Sequence, residues 1–173
     1  GMAEMERGFD SRVYWSDAEW EVHGSVIVHN TATMEGVDWT GDGVADLAVM
    51  QRSNSPVVYL HDMVYDADAD HRIPNVDPAV TLGAPPAGGG SDSQSDMYFG
   101  HANGDGHIDL MVTIGEGNVY DPIDGMRIQV GVSYLILGPL GSLDSEVMIA
   151  DEATTIFAGG ERGETMGRDG GAF

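Results

Sequence analysis

Residues 38–46 form an acidic, glycine-containing loop directly ahead of a short apolar segment. The loop reads Asp-Trp-Thr-Gly-Asp-Gly-Val-Ala-Asp and is followed by Leu-Ala-Val-Met. Side-chain oxygens at loop positions 1, 3, 5 and 9, with a glycine at position 6, are typical of an oxygen cage for Ca²⁺. An EF-hand is excluded, because its twelfth position would be Val49 and because a strand-like segment follows instead of a helix. The pattern therefore predicts a calcium loop that leads into a β-strand.

A second loop of the same design occupies residues 101–109. It reads His-Ala-Asn-Gly-Asp-Gly-His-Ile-Asp and is followed by Leu-Met-Val-Thr-Ile. The shared Gly-Asp-Gly-x-x-Asp-Leu core, recurring ahead of an apolar strand, indicates a structural repeat. Tyr59-Leu60 aligns with Tyr134-Leu135, and these two pairs lie farther apart in the chain than the two loops do. The difference places an insertion in the second repeat, within 115–127.

The two loops resemble those of the FG-GAP repeat family, the calcium-loop blades of integrin-α-like β-propellers. Phe99-Gly100 stands ahead of the second loop, where that family often has Phe-Gly. The resemblance covers roughly residues 22–167 and implies an all-β fold with about two four-stranded antiparallel blades. A propeller needs four to eight blades, so we expect a partial propeller, either a piece of a longer protein or a unit that other copies complete. The expected division is an N-terminal segment at 1–21, a first blade at 22–85, a Gly/Pro/Ser-rich connection at 86–95, a second blade at 96–158 and an incomplete third repeat at 159–173.

Short apolar runs separated by turn residues predict the strands. Residues 30–35 are predicted to be a polar connection, and 145–150 the outer strand of the second blade. Four aromatic side chains are expected to pack in the core or between blades: Tyr59, Tyr98, Tyr134 and Phe157. The predicted strands are 12–15, 20–28, 47–50, 57–60, 79–82, 97–99, 110–114, 130–137 and 145–150.

The first loop has the stronger set of candidate calcium ligands. These are the side chains of Asp38, Thr40, Asp42 and Asp46 and the backbone carbonyl of Val44. Three carboxylates this close repel one another unless a cation lies between them. We expect the bound Ca²⁺ to stabilise the fold, not to activate water.

The second loop has fewer charges. The family pattern implies a carboxylate at its first position, where this chain has His101, and imidazole is a poor ligand for Ca²⁺. The remaining candidates are the side chains of Asn103, Asp105 and Asp109 and the carbonyl of His107. We expect a second, weaker calcium site here, with His101 turned away or favouring a transition metal.

A third acidic cluster lies at Asp66, Asp68 and Asp70. Asp77 stands at position 12 counted from Asp66, but His71 occupies the position that requires glycine. We interpret this cluster as a solvated acidic loop.

Composition and missing motifs restrict the function. The formal net charge is −22, which excludes nucleic acid as a natural partner and disfavours anionic membranes. No His-Glu-x-x-His or Gly-x-Ser-x-Gly motif is present, so we expect no enzyme in these residues. The chain has no cysteine, and its calcium loops indicate an extracellular or cell-surface location, where Ca²⁺ is plentiful.

The resemblance implies a non-catalytic binding or adhesion module with a protein or carbohydrate ligand. Further blades, from the same chain or from another, are possible partners, and copies could form a homo-oligomer. Two alternatives remain: an accessory propeller domain of a secreted hydrolase or lyase, and a structural subunit that assembles with its own copies.

Overall fold

The part of the chain that the structure describes is mostly β-sheet with almost no helix, as the sequence predicts. The computed structural model describes residues 32–52, 55–63, 77–84, 95–115, 119–121, 125–127 and 130–160. The strands predicted at 12–15 and 20–28 and the acidic cluster at 66–70 lie outside these ranges. Within them, no helix is long and apolar enough to span a membrane.

Sheet A contains five strands. Four of them follow one another antiparallel in chain order, and the fifth, β10, comes from later in the chain and pairs parallel with β4. Its strands are β1 (Ala32–Val37), β2 (Asp46–Gln51), β3 (Val57–His61), β4 (Val80–Gly83) and β10 (Glu146–Met148).

Sheet B contains four strands, all antiparallel, in the order β11-β9-β6-β5. A two-stranded hairpin of β7 (Val119–Asp121) and β8 (Gly125–Arg127) lies between β6 and β9. A one-turn helix, α1 (Ile149–Glu152), links β10 to β11. The strands of sheet B are β5 (Ser95–Gly100), β6 (Asp109–Ile114), β9 (Val132–Ile136) and β11 (Thr155–Ala158).

The two sheets repeat each other strand by strand. β5 and β6 follow β1 and β2 at the spacing that separates the two loops, and β9 and β11 follow β3 and β4 at the wider spacing of the two Tyr-Leu pairs. The pairing registers match as well, since Leu47 lies opposite His61 in sheet A and Leu110 lies opposite Ile136 in sheet B. Every residue of a sheet A strand β1–β4 therefore has an equivalent in sheet B.

The sheets share one core, but they contribute opposite faces to it. Because side chains alternate across a strand, each sheet has two faces. We call the face of sheet A that carries Ala48 and Met50 its front face and the opposite one its back face. The equivalent faces of sheet B take the same names. The front face of sheet A supplies the core residues Ala48, Met50, Val58, Leu60, Val80 and Leu82. The back face of sheet B supplies Leu110, Val112, Ile114, Val132, Tyr134 and Ile136. The front face of sheet A therefore packs against the back face of sheet B, an arrangement that we call head-to-tail stacking.

Three expectations require correction. The part of the predicted polar connection that the structure describes, residues 32–35, belongs to β1 (Ala32–Val37), because pairing with β2 satisfies its backbone. The segment at 145–150 does not complete sheet B. Its strand β10 joins sheet A, and β11 takes the outer position of sheet B. Phe157 is 42% exposed, whereas Tyr134 is buried.

Candidate functional site

The two predicted calcium loops occupy the same place in the two sheets. The first joins β1 to β2, and the second joins β5 to β6. Each loop therefore links the first two strands of its sheet, and each ends on an aspartate that begins the second strand.

Paired glycines give the two loops a common backbone shape. Gly41 and Gly43 have φ values of 80° and 89°, and Gly104 and Gly106 have 71° and 89°. This left-handed region is costly for residues with a Cβ atom. A Cβ atom at any of the four would have open space, so glycine is required there by backbone conformation and not by packing.

Asp38 organises the first loop through its carboxylate. Its Oδ1 accepts the N–H groups of Gly41 at 2.8 Å and Asp42 at 3.0 Å, and its Oδ2 accepts that of Gly43 at 2.9 Å. Three consecutive N–H groups thus converge on one carboxylate. They hold the loop in a closed turn and engage both oxygens of a predicted calcium ligand.

Asp46 joins the first loop to the end of β3. This carboxylate is 2% exposed. Its Oδ1 accepts the N–H of Met63 at 3.0 Å, and its Oδ2 accepts the N–H of Thr40 at 3.2 Å and the hydroxyl of Thr40 at 3.0 Å. The side chain is therefore a structural acceptor within the sheet as well as a predicted ligand.

Asp42 and Val44 lie on the outer side of the first loop. Both are exposed, and Asp42 Oδ1 accepts the N–H of Val44 at 2.8 Å. Of the three predicted carboxylate ligands in this loop, Asp42 has the fewest contacts with the rest of the protein.

Sequence reasoning missed Asp62, which adds to the negative charge around the first loop. Loss of hydration raises the pKa of the Asp62 carboxyl, and the charges of Asp46 and Asp42 raise it further. Asp62 follows β3 directly, so only the pairing of β3 with β2 brings it near the loop.

Trp39 anchors the first loop in the core, and sequence reasoning missed it too. The ring is 4% exposed, and its Nε1–H donates to the carbonyl of His61 at 3.4 Å. The second loop has Ala102 at the equivalent position, so it lacks this anchor.

Asp109 occupies in the second loop the place that Asp46 occupies in the first. It is fully buried, and its Oδ1 accepts the N–H of Gly138 at 2.8 Å. Its Oδ2 accepts the N–H of Ala102 at 2.6 Å. Gly138 follows β9 as Met63 follows β3, so the same connection from loop to third strand appears in both repeats.

His101 makes the second loop different at its first position. Its Nδ1 donates to the carbonyl oxygen of His107 at 2.8 Å. That carbonyl is one of the predicted calcium ligands, and the imidazole already provides it with a positively polarised partner. His101 is therefore turned into the loop.

Asp105 and Asn103 form a closed network within the second loop. Asp105 Oδ1 accepts the N–H of His107 at 2.8 Å, and Asp105 Oδ2 accepts the amide of Asn103 at 2.8 Å. These two contacts, the backbone one first, lower the pKa of the Asp105 carboxyl.

The donor chemistry of the first loop fits Ca²⁺ better than that of the second. Its candidate ligands are all oxygens and include three carboxylates, whereas the second loop offers two carboxylates and a histidine. Within the described ranges, no three His, Asp or Glu side chains converge as a metal-holding group. In both loops, backbone N–H groups are the principal partners of the carboxylates.

A surface groove of about 570 Å³ lies at the outer edge of sheet A, where β10 meets β4. Its lining is acidic and is separate from both loops. It consists of Thr81, Gly83, Asp144, Glu146, Val147, Met148, Asp151 and Glu152.

Comparisons of the chain with protein-family models, curated proteins and solved structures find no match.

Proposed function

We propose that this chain is a calcium-stabilised binding module of the propeller-blade type, similar to FG-GAP repeats, with no catalytic role of its own. The observation that carries the proposal is the repetition of one glycine-paired acidic loop at the same position in two consecutive sheets. A loop that recurs with its strands is part of the repeated fold, and its oxygen-rich sequence suits Ca²⁺.

The arrangement of the two sheets supports a blade-like organisation. In each sheet, four strands follow antiparallel in chain order, as in a propeller blade. The first strands of the two sheets, β1 and β5, lie close together. A hydrogen bond joins them, in which Thr33 Oγ1 donates to Asp96 Oδ1 at 3.1 Å. Burial, and then the charge of Asp96, raises the pKa of Glu35 on the same strand.

An ion pair adds a second connection between the repeats. Arg52 follows β2, and its guanidinium lies 3.2 Å from the Asp96 carboxylate on β5. Two sheets joined at their first strands and stacked head to tail are related as neighbouring blades would be.

The first loop is the principal calcium site in this proposal, with Asp38, Thr40, Asp42, Val44 and Asp46 as its ligands. The surplus negative charge near Asp62 favours a cation there. The second loop, with His101 in place of a carboxylate, binds Ca²⁺ more weakly. The ion stabilises the hairpin between the first two strands of each sheet, because a ligand that binds only the folded state raises its stability.

The proposed partner is a protein or a carbohydrate in an extracellular setting. A surface with a net charge of −22 suits a neutral or basic ligand. Arrays of immobilised glycans and extracellular proteins, probed with the chain in Ca²⁺ and in EGTA, test this part. Binding in Ca²⁺ alone supports it, and equal binding in EGTA contradicts the role of the ion.

Thermal unfolding with and without Ca²⁺ tests the metal site. At a free concentration one hundred times Kd, a single site adds about 2.7 kcal/mol, which for a chain of this size raises Tm by about 5–10 °C. Asp42→Ala should remove most of this shift, while Asp144→Ala, an exposed aspartate outside both loops, should keep it. Equal shifts in the wild type and Asp42→Ala would show that the ion binds elsewhere.

A further inference from the structure

The outer edge of sheet A is closed by a strand from the second repeat. In the chain, β10 lies between the third and fourth strands of sheet B, yet it pairs in parallel with β4, the fourth strand of sheet A. Its Val147 stands opposite Leu82, and the N–H of Thr81 donates to the carbonyl oxygen of Ser145 at 2.8 Å. Sheet A therefore ends on a strand that the first repeat does not supply.

The segment that carries β10 is also held on the shared core. Leu140 and Ile149, on either side of β10, are fully buried. Leu143 and Val147 are partly buried and pack against the same core. The added strand is therefore fixed both by its pairing with β4 and by apolar contacts around it. The chain thus contains its own example of strand addition to the fourth strand of a sheet.

β11 is the equivalent of β4, and its outer edge is open in the part of the chain that the structure describes. β11 stands last in the order of sheet B and pairs there with β9 alone. Thr155, Ile156 and Phe157 on it are all exposed, the last two by 48% and 42%. The edge is accessible, unlike the centre of the same sheet, where Thr113 and Ser133 are buried. An accessible edge with apolar side chains is a template for a further strand.

The repeat shows which backbone groups of β11 face this edge. Tyr59 lies opposite Thr81 in sheet A, and Tyr134 lies opposite Ile156 in sheet B. The N–H of Thr81 points away from β3, because it donates to Ser145 next to β10. By the same register, the N–H of Ile156 points away from β9 and into the open edge. This N–H is the donor that an added strand would use.

We infer that the outer edge of β11 binds an extended segment of a partner protein, which adds to sheet B as a parallel strand. The β4–β10 pair supplies the pattern, with an apolar β-branched residue opposite Phe157 as Val147 lies opposite Leu82. Main-chain hydrogen bonds give such a contact its affinity. The inference rests on the proposed binding role, whose ligand it identifies as a protein, but not on the calcium sites.

Charge narrows the choice of partner. The chain has a net charge of −22, and the exposed Asp151 and Glu152 lie just ahead of β11. In a parallel pair, the start of the added strand lies beside the start of β11, so a lysine or arginine ahead of the apolar residue is complementary. A second copy brings the same negative charge, and two β11 edges related by a twofold axis would pair antiparallel. A basic segment of another protein therefore fits best.

Fluorescence anisotropy with a labelled synthetic peptide tests the binding. The probe has the sequence of residues 143–150 with Asp144→Lys and Glu146→Lys, and the unchanged acidic sequence is its control. In EGTA and about 0.1 M NaCl, the basic peptide should bind saturably and at least about tenfold more tightly than the acidic one. Absence of saturable binding, or equal affinities of the two peptides, overturns the inference. The calcium-dependent shift in Tm tests the metal sites separately.

Ile156→Pro tests the edge itself. Proline removes the outward N–H but leaves the groups that pair with β9, and an edge strand tolerates it. The variant should bind the basic peptide at least about tenfold more weakly, whereas Ile156→Ala, which keeps the N–H, should stay within about threefold of the wild type. Equal binding by Ile156→Pro and the wild type would place the peptide elsewhere, such as on β4 in exchange for β10, and overturns the inference.

Amide hydrogen exchange, followed by NMR on the wild-type chain, gives the same test without a substitution that could disturb folding. The Ile156 amide should exchange rapidly in the free chain and at least about tenfold more slowly with the basic peptide. The Phe157 amide is the internal control, because alternate groups along the strand face β9 and stay protected in both samples. An Ile156 amide that is already protected in the free chain shows that the edge is covered, and overturns the inference.

Discussion

Substitution of Asp46 tests whether a carboxylate of the first loop stabilises the fold through its hydrogen bonds, independently of any role in binding Ca²⁺. The buried carboxylate accepts three hydrogen bonds, from the N–H of Met63 and from the N–H and hydroxyl of Thr40. Asp42, in the same loop, is exposed and accepts one local bond from Val44. Both are predicted calcium ligands, but only Asp46 also joins separate parts of sheet A.

The magnitude follows from the groups that Asp46→Ala leaves without partners. The N–H of Met63 belongs to a residue that is 5% exposed, and an unsatisfied buried donor costs about 1–3 kcal/mol. The N–H and hydroxyl of Thr40 lie nearer to solvent and lose less, because water replaces the carboxylate. The expected loss is about 3 kcal/mol in the free energy of unfolding, against about 1 kcal/mol or less for Asp42→Ala.

Urea unfolding in EGTA isolates this effect from calcium. The Asp46→Ala variant should unfold at a clearly lower urea midpoint with an unchanged slope, and Asp42→Ala close to the wild type. In excess Ca²⁺ both variants should also lose the stabilisation by the ion, because both residues are predicted ligands, so Asp46→Ala stays the less stable of the two. Equal midpoints for Asp46→Ala and the wild type in EGTA would refute the structural role.

Three further predictions rest on other contacts. A Cβ atom at Gly138 would lie 2.5 Å from the carbonyl oxygen of Ile108, so Gly138→Ala should lower the free energy of unfolding in urea by about 2 kcal/mol. Gly36→Ala is the control, because a Cβ atom there has room. Equal losses in the two variants would contradict the steric clash at Gly138. Burial lowers the pKa of His61 below its ordinary 6.5, so the unfolded state binds more protons and stability falls as pH drops through about 6.5. The His61→Leu variant should show a flatter pH dependence in thermal unfolding between pH 7.5 and pH 5, and parallel curves would count against the assignment. His101→Asp adds a third carboxylate and frees the His107 carbonyl, so calorimetry should find calcium affinity at the second loop raised at least about tenfold; an unchanged affinity would show that this loop is not a calcium site.

Local sequence patterns were sufficient to predict the loops and most strands. The conformation at Gly41, Gly43, Gly104 and Gly106 follows from the loop sequence, because few other residues tolerate a positive φ. The strands after the loops follow from apolar runs such as Leu110 to Ile114. These features depend on residues close together in the chain.

Long-range pairing explains what the sequence did not reveal. β1 contains Thr33 and Glu35 and reads as a polar connection, yet pairing with β2 makes it a strand. β10 reads as the next strand of sheet B, but it crosses to β4 of sheet A. The local sequence does not reveal the pairing partner of either strand, because strand propensity depends strongly on the neighbouring strands.

The site shows the same limit. The sequence identified Asp46 and Asp109 as the ninth loop residues, but not their partners Met63 and Gly138. Those partners lie just after the third strand of each sheet, so they become visible only when the strands are paired.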